Sequence, residues 1–166
     1  MAFGKFSQLS TETDRATEAS ATEKPLVVVV DDDINICQML ALTLQRKYTV
    51  RACHSGDEGI KAVNRDVHVV ILDIKMPGKD GFQVYQEIQP KFPDLPIIFF
   101  SAYQDVLEGA KLSLKYKPFN YIDKSSNIKE LLDSVDRAVE SYKRIRAMDR
   151  IVEKVKTKTS RIKEEA

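Results

Sequence analysis

The sequence predicts an α/β fold: a doubly wound parallel sheet of five strands, with helices on both faces and an extended C-terminal helix. Three observations predict it. Five short apolar runs alternate with five stretches whose apolar residues recur at helical spacing. The inner runs are apolar nearly throughout, as strands covered on both faces are. Polar residues stand at the carboxyl ends of four runs, the edge where ligands bind in an open α/β sheet.

Residues 1–24 are rich in Ser, Thr, Ala and Glu without sustained periodicity, which reads as a disordered leader closed by Pro25. The run LVVVV at 26–30 is the first strand. Ile34, Cys37, Ala41 and Leu44 mark a helix over 34–45, and 48–53 is a second strand. A short helix over 56–64 precedes a third strand over 67–72. The segment KMPGKDG is a turn-rich loop. Phe82, Tyr85 and Ile88 share one face of a helix over 82–91, and 96–100 is a fourth strand. A helix over 105–115 leads to a short fifth strand over 120–123. Asn127 then caps the long final helix, with Glu130 as its capping-box partner.

Right-handed crossovers join such elements into a sheet of flavodoxin-like (βα)5 order, 2-1-3-4-5. Its topological switch point lies between strands 1 and 3. Those two strands end in Asp31/Asp32 and in Asp73, so topology and carboxylates indicate the same place.

The chain has 166 residues, 43% of them hydrophobic, enough for one domain with extensions. Its net charge of +1 gives no global argument for nucleic acid. The charge is uneven: residues 1–24 carry −1, residues 141–166 carry +5 and the middle carries −3. No secretory signal and no membrane-length apolar run occurs. Cys37 and Cys53 form neither a disulfide framework nor a metal-spaced pair, and read as buried thiols of a cytoplasmic protein.

Three carboxylates crowded together repel one another, and a hard divalent cation removes that conflict. The bland reading of Asp31-Asp32-Asp33 is a helix N-terminal cap. Asp33 alone suffices for that, leaving Asp31 and Asp32 for a metal. Asp73 is suited to nucleophilic attack, as in aspartyl-phosphate chemistry. The turn residues that follow it make a purely turn-forming role unnecessary. Lys124 offers a mobile ammonium and Ser101 a hydroxyl to phosphoryl oxygens. Phosphoryl transfer asks a protein mainly for positioning and charge neutralisation. The intervals of 42, 28 and 23 residues from Asp31 through Asp73 and Ser101 to Lys124 make the set specific.

In order and spacing this set resembles the receiver domain of bacterial two-component response regulators, in a stand-alone, chemotaxis-regulator-like form. The resemblance covers about residues 25–142 and leaves 143–166 as a basic helical extension. It implies that Asp73 is the phosphoacceptor, taking its phosphoryl group from a histidine of a sensor kinase or phosphotransfer protein. Asp31, Asp32 and Asp73, with the backbone carbonyl of Lys75, would hold Mg2+. Ser101 would be the switch hydroxyl, Tyr121 the aromatic that swings inward, and Lys124 the conserved-type lysine. Lys75 and Tyr103 would tune phosphoryl lifetime. Partner binding would switch on phosphorylation, toward a downstream protein or a phosphorylation-dependent dimer.

One departure stands out. The family usually reads Lys-Pro at its lysine, whereas Lys124 precedes Ser125. A Lys-Pro does occur at Lys117, but Lys124 better fits the site: it follows an apolar strand, lies three residues after Tyr121, and precedes the capped helix. A trans bond before Ser125 is expected, because a cis bond without proline costs ~3–4 kcal/mol.

His54 and His68 read as structural residues. In the last helix, Ile128, Leu131, Leu132, Val135, Val139 and Tyr142 form a core-facing stripe. Ile145, Met148, Val152, Val155, Thr159 and Ile162 continue at heptad spacing for about two and a half repeats. In a parallel dimer Lys158 would face Lys163, which argues against self-pairing. The extension could be a solvated helix, a partner-binding helix, or the start of a longer one. It has no room for a DNA-binding domain. The competing function is an unphosphorylated pseudo-receiver serving only protein–protein contact. A phosphatase is disfavoured by Lys75 standing two residues after Asp73, and a flavodoxin by three acids where a phosphate would sit.

Overall fold

The valine run places alternate side chains in two separate cores. Val27 and Val29 pack on one face of the sheet, Val28 and Val30 on the other, all fully buried. This is the period-two consequence of a strand covered on both sides. The computed structural model describes residues 23–111 and 115–164. The leader, apart from its last two residues, therefore lies outside the described residues.

Five parallel strands form one sheet: β1 (Leu26–Val30), β2 (Thr49–Cys53), β3 (Val67–Leu72), β4 (Ile97–Ser101) and β5 (Asn120–Asp123). Their order is β2-β1-β3-β4-β5, the flavodoxin-like order expected. Among the described residues five helices alternate with them: α1 (Ile34–Leu44), α2 (Gly56–Ala62), α3 (Gly81–Ile88), α4 (Tyr103–Lys111) and α5 (Ile128–Glu164). Cys37, Leu40 and Leu44 of α1 share a core with Leu131, Val135, Ala138 and Val139 of α5. Val84, Tyr85 and Ile88 of α3 lie on the opposite face.

Boundaries differ from the sequence expectation by one to four residues. α2 ends at Ala62 rather than 64, because Val63 turns extended and its side chain enters the core. α3 starts one residue early, at Gly81. Asp80 accepts from Gln83 N–H while the Gln83 side chain accepts from Asp80 N–H, a full capping box. At Asn127 the box is incomplete: its side chain accepts from Lys129 N–H, and Glu130 gives only its backbone N–H, to the Asn127 carbonyl.

α5 follows its predicted core stripe through Tyr142 and then leaves the domain. Arg146 makes the last tie, donating to the Arg65 carbonyl at 2.7 Å with its guanidinium over the Tyr142 ring. Beyond it Met148, Ile151, Val152 and Val155 are exposed. No described helix is long and apolar enough to cross a membrane. Cys37 and Cys53 are buried free thiols.

Candidate functional site

The sheet's hydrogen bonding continues one residue past the ends of β1 and β3. Asp31 N–H donates to Cys53 O at 3.0 Å, and Asp73 N–H to Val30 O at 2.9 Å. This brings the two aspartates side by side at the switch point. Carboxylate oxygens of Asp31, Asp32 and Asp73 lie within 4.8 Å of one another. Asp31 and Asp73 are buried and Asp32 is exposed, so the cluster has one open side. Asp33 caps α1, accepting from Asn35 N–H at 2.8 Å and Ile36 N–H at 3.4 Å. The cap thus occupies the third acid of the run and leaves the first two to the cluster.

Asp73 is held from two sides. Its Oδ1 accepts from Ile74 N–H at 2.9 Å and from the Ser101 hydroxyl at 2.6 Å. Among the described residues its Oδ2 has only the longer contact, 3.3 Å, with Lys124 Nζ. The backbone above it is fixed by a close crossing. A Cβ at Gly81 would lie 2.2 Å from the Asp73 carbonyl oxygen, so α3 starts there only because that residue is glycine.

Lys124, not Lys117, reaches the acids. Its ammonium lies 2.7 Å from Asp31 Oδ2, and Lys124 N–H donates to Ser101 O at 2.8 Å, tying β5 to β4. Lys117 sits on the loop before β5 with its N–H on the Tyr85 hydroxyl. No cis peptide occurs among the described residues. Where the usual proline is missing, Ser125 closes the loop by donating its N–H and hydroxyl to the Asp123 carboxylate, both at 2.9 Å.

The electrostatics follow from crowding. Burial raises the pKa of Asp73, and the Asp31 charge adds to the rise, against the opposing pulls of Ser101 and Lys124. Burial alone would lower the pKa of Lys124, but its bond to Asp31 and the two carboxylate charges reverse the direction and raise it. Three carboxylates against one ammonium leave two negative charges, the complement of a divalent cation. Every donor is a hard oxygen, the ligand type Mg2+ takes. The residues fit that ion.

Tyr121 lies beneath α4, stacked on Phe99 with ring centroids 5.3 Å apart. The Lys75 side chain is exposed on the loop after Asp73. The side chain of Tyr103 lies outside what the structure describes.

Residues 27–136 match the family model for the response regulator receiver domain. The chain belongs to that family. It is 33% identical over 123 residues to the DNA-binding transcriptional regulator NtrC of Proteus hauseri, covering 73% of this chain and 26% of that protein. The chain thus spans about a quarter of the length of the NtrC-type regulators it matches. Among solved structures, a response regulator receiver domain protein from Clostridium thermocellum matches with TM-score 0.67 at 27% identity, covering 72% of this chain and 98% of that one. The response regulator TrrA of Thermotoga maritima, solved in complex with Mg2+ and BeF, matches with TM-score 0.59 at 34% identity, covering 68% and 97%. Receivers are signalling domains of two-component systems, and aspartyl phosphorylation and Mg2+ are general to the family.

Two residues at this receiver's site escape sequence reading. Asp105 stands 3.5 Å from the Ser101 hydroxyl, and Gly109 is the floor against which the Tyr121 ring packs. Asp105 follows Ser101 by four residues, which is visible as spacing, but the lean of its side chain toward the hydroxyl is not.

Proposed function

We propose that this chain accepts a phosphoryl group from a phosphohistidine onto Asp73, in a Mg2+-dependent reaction, and thereby switches its binding to a partner protein. The observation that carries the reading is the convergence of Asp31, Asp32 and Asp73 within 4.8 Å, with Lys124 paired to two of them. The donor is a sensor histidine kinase or a histidine phosphotransfer protein, and the reaction is cytoplasmic.

Asp31, Asp32 and Asp73, with the Lys75 carbonyl, would hold the ion. Bound there, Mg2+ supplies charge neutralisation and a coordination position for a phosphoryl oxygen. Asp73 is the nucleophile: one of its oxygens forms the new P–O bond as the P–N bond of the donor histidine breaks, and the electron pair stays on the imidazole nitrogen. Oδ2 is the freer oxygen, since Oδ1 already accepts two hydrogen bonds. Lys124 leaves Asp31 to pair with a phosphoryl oxygen, and Ser101 turns its hydroxyl from Asp73 to another. Tyr121 reports that movement to the surface beside α4. Lys75 and Tyr103, two residues past Asp73 and Ser101, set how readily water reaches the phosphoryl group. Residues 25–142 act as the receiver unit and 143–166 as a basic helical extension.

The test is intact mass after incubation with acetyl phosphate, with and without Mg2+, for wild type and Asp73→Ala. One phosphoryl adduct that needs both Mg2+ and Asp73 is expected. A folded protein that gains no adduct and binds no Mg2+ would overturn the reading.

A further inference from the structure

The Ser101 hydroxyl has one proton and two carboxylates within reach. It lies 2.6 Å from Asp73 Oδ1 and 3.5 Å from Asp105 Oδ2, while Ile74 N–H, at 3.3 Å, points at its oxygen. Ser101 is buried, at 1% exposure. Asp105 is half-buried in the first turn of α4. An acid in that turn is favoured by the helix dipole alone, which accounts for the residue type. The dipole does not account for its carboxylate facing a buried hydroxyl at the end of β4.

We infer that Asp105 is a positioning residue that competes for the Ser101 proton and so acts as a brake on the phosphorylated state. The inference rests on the phosphoacceptor reading of Asp73. Once Asp73 is an acyl phosphate formed through Oδ2, its Oδ1 is a neutral carbonyl oxygen, a weaker acceptor than the carboxylate it replaces, and the Ser101 hydroxyl must serve a phosphoryl oxygen. Asp105 is then the other charged acceptor nearby, and charge-assisted bonds are roughly twice as strong as neutral ones. Each Ser101 proton held by Asp105 is one withheld from the phosphoryl group. Asparagine at this position keeps the shape and removes the charge that sustains the competition.

The probe is beryllium fluoride, a phosphoryl mimic, titrated calorimetrically in the presence of Mg2+. Asp105→Asn is expected to bind it about five-fold tighter than wild type, the scale of one charged hydrogen bond partly screened by solvent. In a Ser101→Ala background the same substitution is expected to change binding less than two-fold, because there is no proton left to compete for. Glu108→Gln, which removes an exposed charge one turn further along α4, is expected to leave binding within two-fold of wild type. An equal gain in both Ser101 backgrounds would overturn the inference in favour of bare charge repulsion. No gain from Asp105→Asn, or an equal gain from Glu108→Gln, would also overturn it. If the folded wild-type protein does not bind beryllium fluoride with Mg2+, it is the phosphoacceptor reading that fails instead.

Discussion

Gly109 stands directly over Tyr121: a Cβ on Gly109 would lie 2.6 Å from Tyr121 Cε1 and 3.3 Å from the tip of Phe82. The aromatic ring can occupy its place under α4 only because that helix carries hydrogen there. Gly109→Ala gains about 1 kcal/mol of helix propensity but overpacks the ring, at a cost of about 1–3 kcal/mol. The clash outweighs the gain, because the near atom belongs to a rigid ring stacked on Phe99. The expected result is a lower urea midpoint. A midpoint at or above wild type would mean that the ring moves aside freely.

Tyr121 hides its hydroxyl. The oxygen is buried and has no hydrogen-bond partner among the described residues. Burial pushes the phenol pKa up to about 12, with Tyr85 and Tyr116 adding to the rise. Tyr121→Phe keeps the stack on Phe99 and removes an unsatisfied polar atom, so stability should rise by about 1 kcal/mol. Chemical denaturation of the two proteins measures it. A loss of stability would show that the hydroxyl does find a partner in solution.

Mg2+ held at the proposed acid cluster should make stability depend on the ion's concentration. At a concentration one hundred times its dissociation constant the ion should stabilise the fold by about 2.7 kcal/mol. Asp73→Asn removes a buried charge crowded by Asp31, and without Mg2+ it should be about 1–3 kcal/mol more stable than wild type. The same variant should lose most of its thermal response to Mg2+. A wild-type melting temperature indifferent to Mg2+ would count against the site.

Asp136 ties α5 to the turn between α1 and β2. Burial alone would raise its pKa, but Lys47 at 2.8 Å and the Tyr48 hydroxyl, both donating to it, leave it lowered. A carboxylate with a lowered folded pKa stabilises above its unfolded value, near 3.9, and that contribution is lost as pH falls through the folded value. Asp136 is 38% exposed, so solvent screening holds the contribution below about 1 kcal/mol. Tyr48→Phe should therefore melt lower than wild type at pH 7, with the gap narrowing below pH 4. A gap that stays constant from pH 7 to pH 3 would assign the effect to packing.

A parallel sheet and the acids that converge at its edge are legible in the residues alone, and the flavodoxin-like pattern they fit supplies the strand order. Buried parallel strands are written as unbroken apolar runs such as LVVVV and VHVVIL, and strand order then places Asp31 and Asp73 side by side. Asp33 was legible as the cap because an acid before a helix has that local use. The preference for Lys124 over Lys117 was legible from its place after a strand.

The rest emerges only on folding, because it depends on how neighbouring elements pack and not on how their residues are spaced along the chain. The α3 start above Asp73 depends on Gly81 meeting a carbonyl eight residues back across a folded loop. The incomplete box at Asn127 shows two residues with the right spacing whose side chains do not accept from each other's backbone N–H. The seat of Tyr121 under Gly109 and the lean of Asp105 toward Ser101 arise only when α4 packs against β4 and β5. Periodicity tells which face of a helix is buried. It does not tell which atom of a neighbouring element that face meets, because that is set by packing between elements rather than by the residues within one.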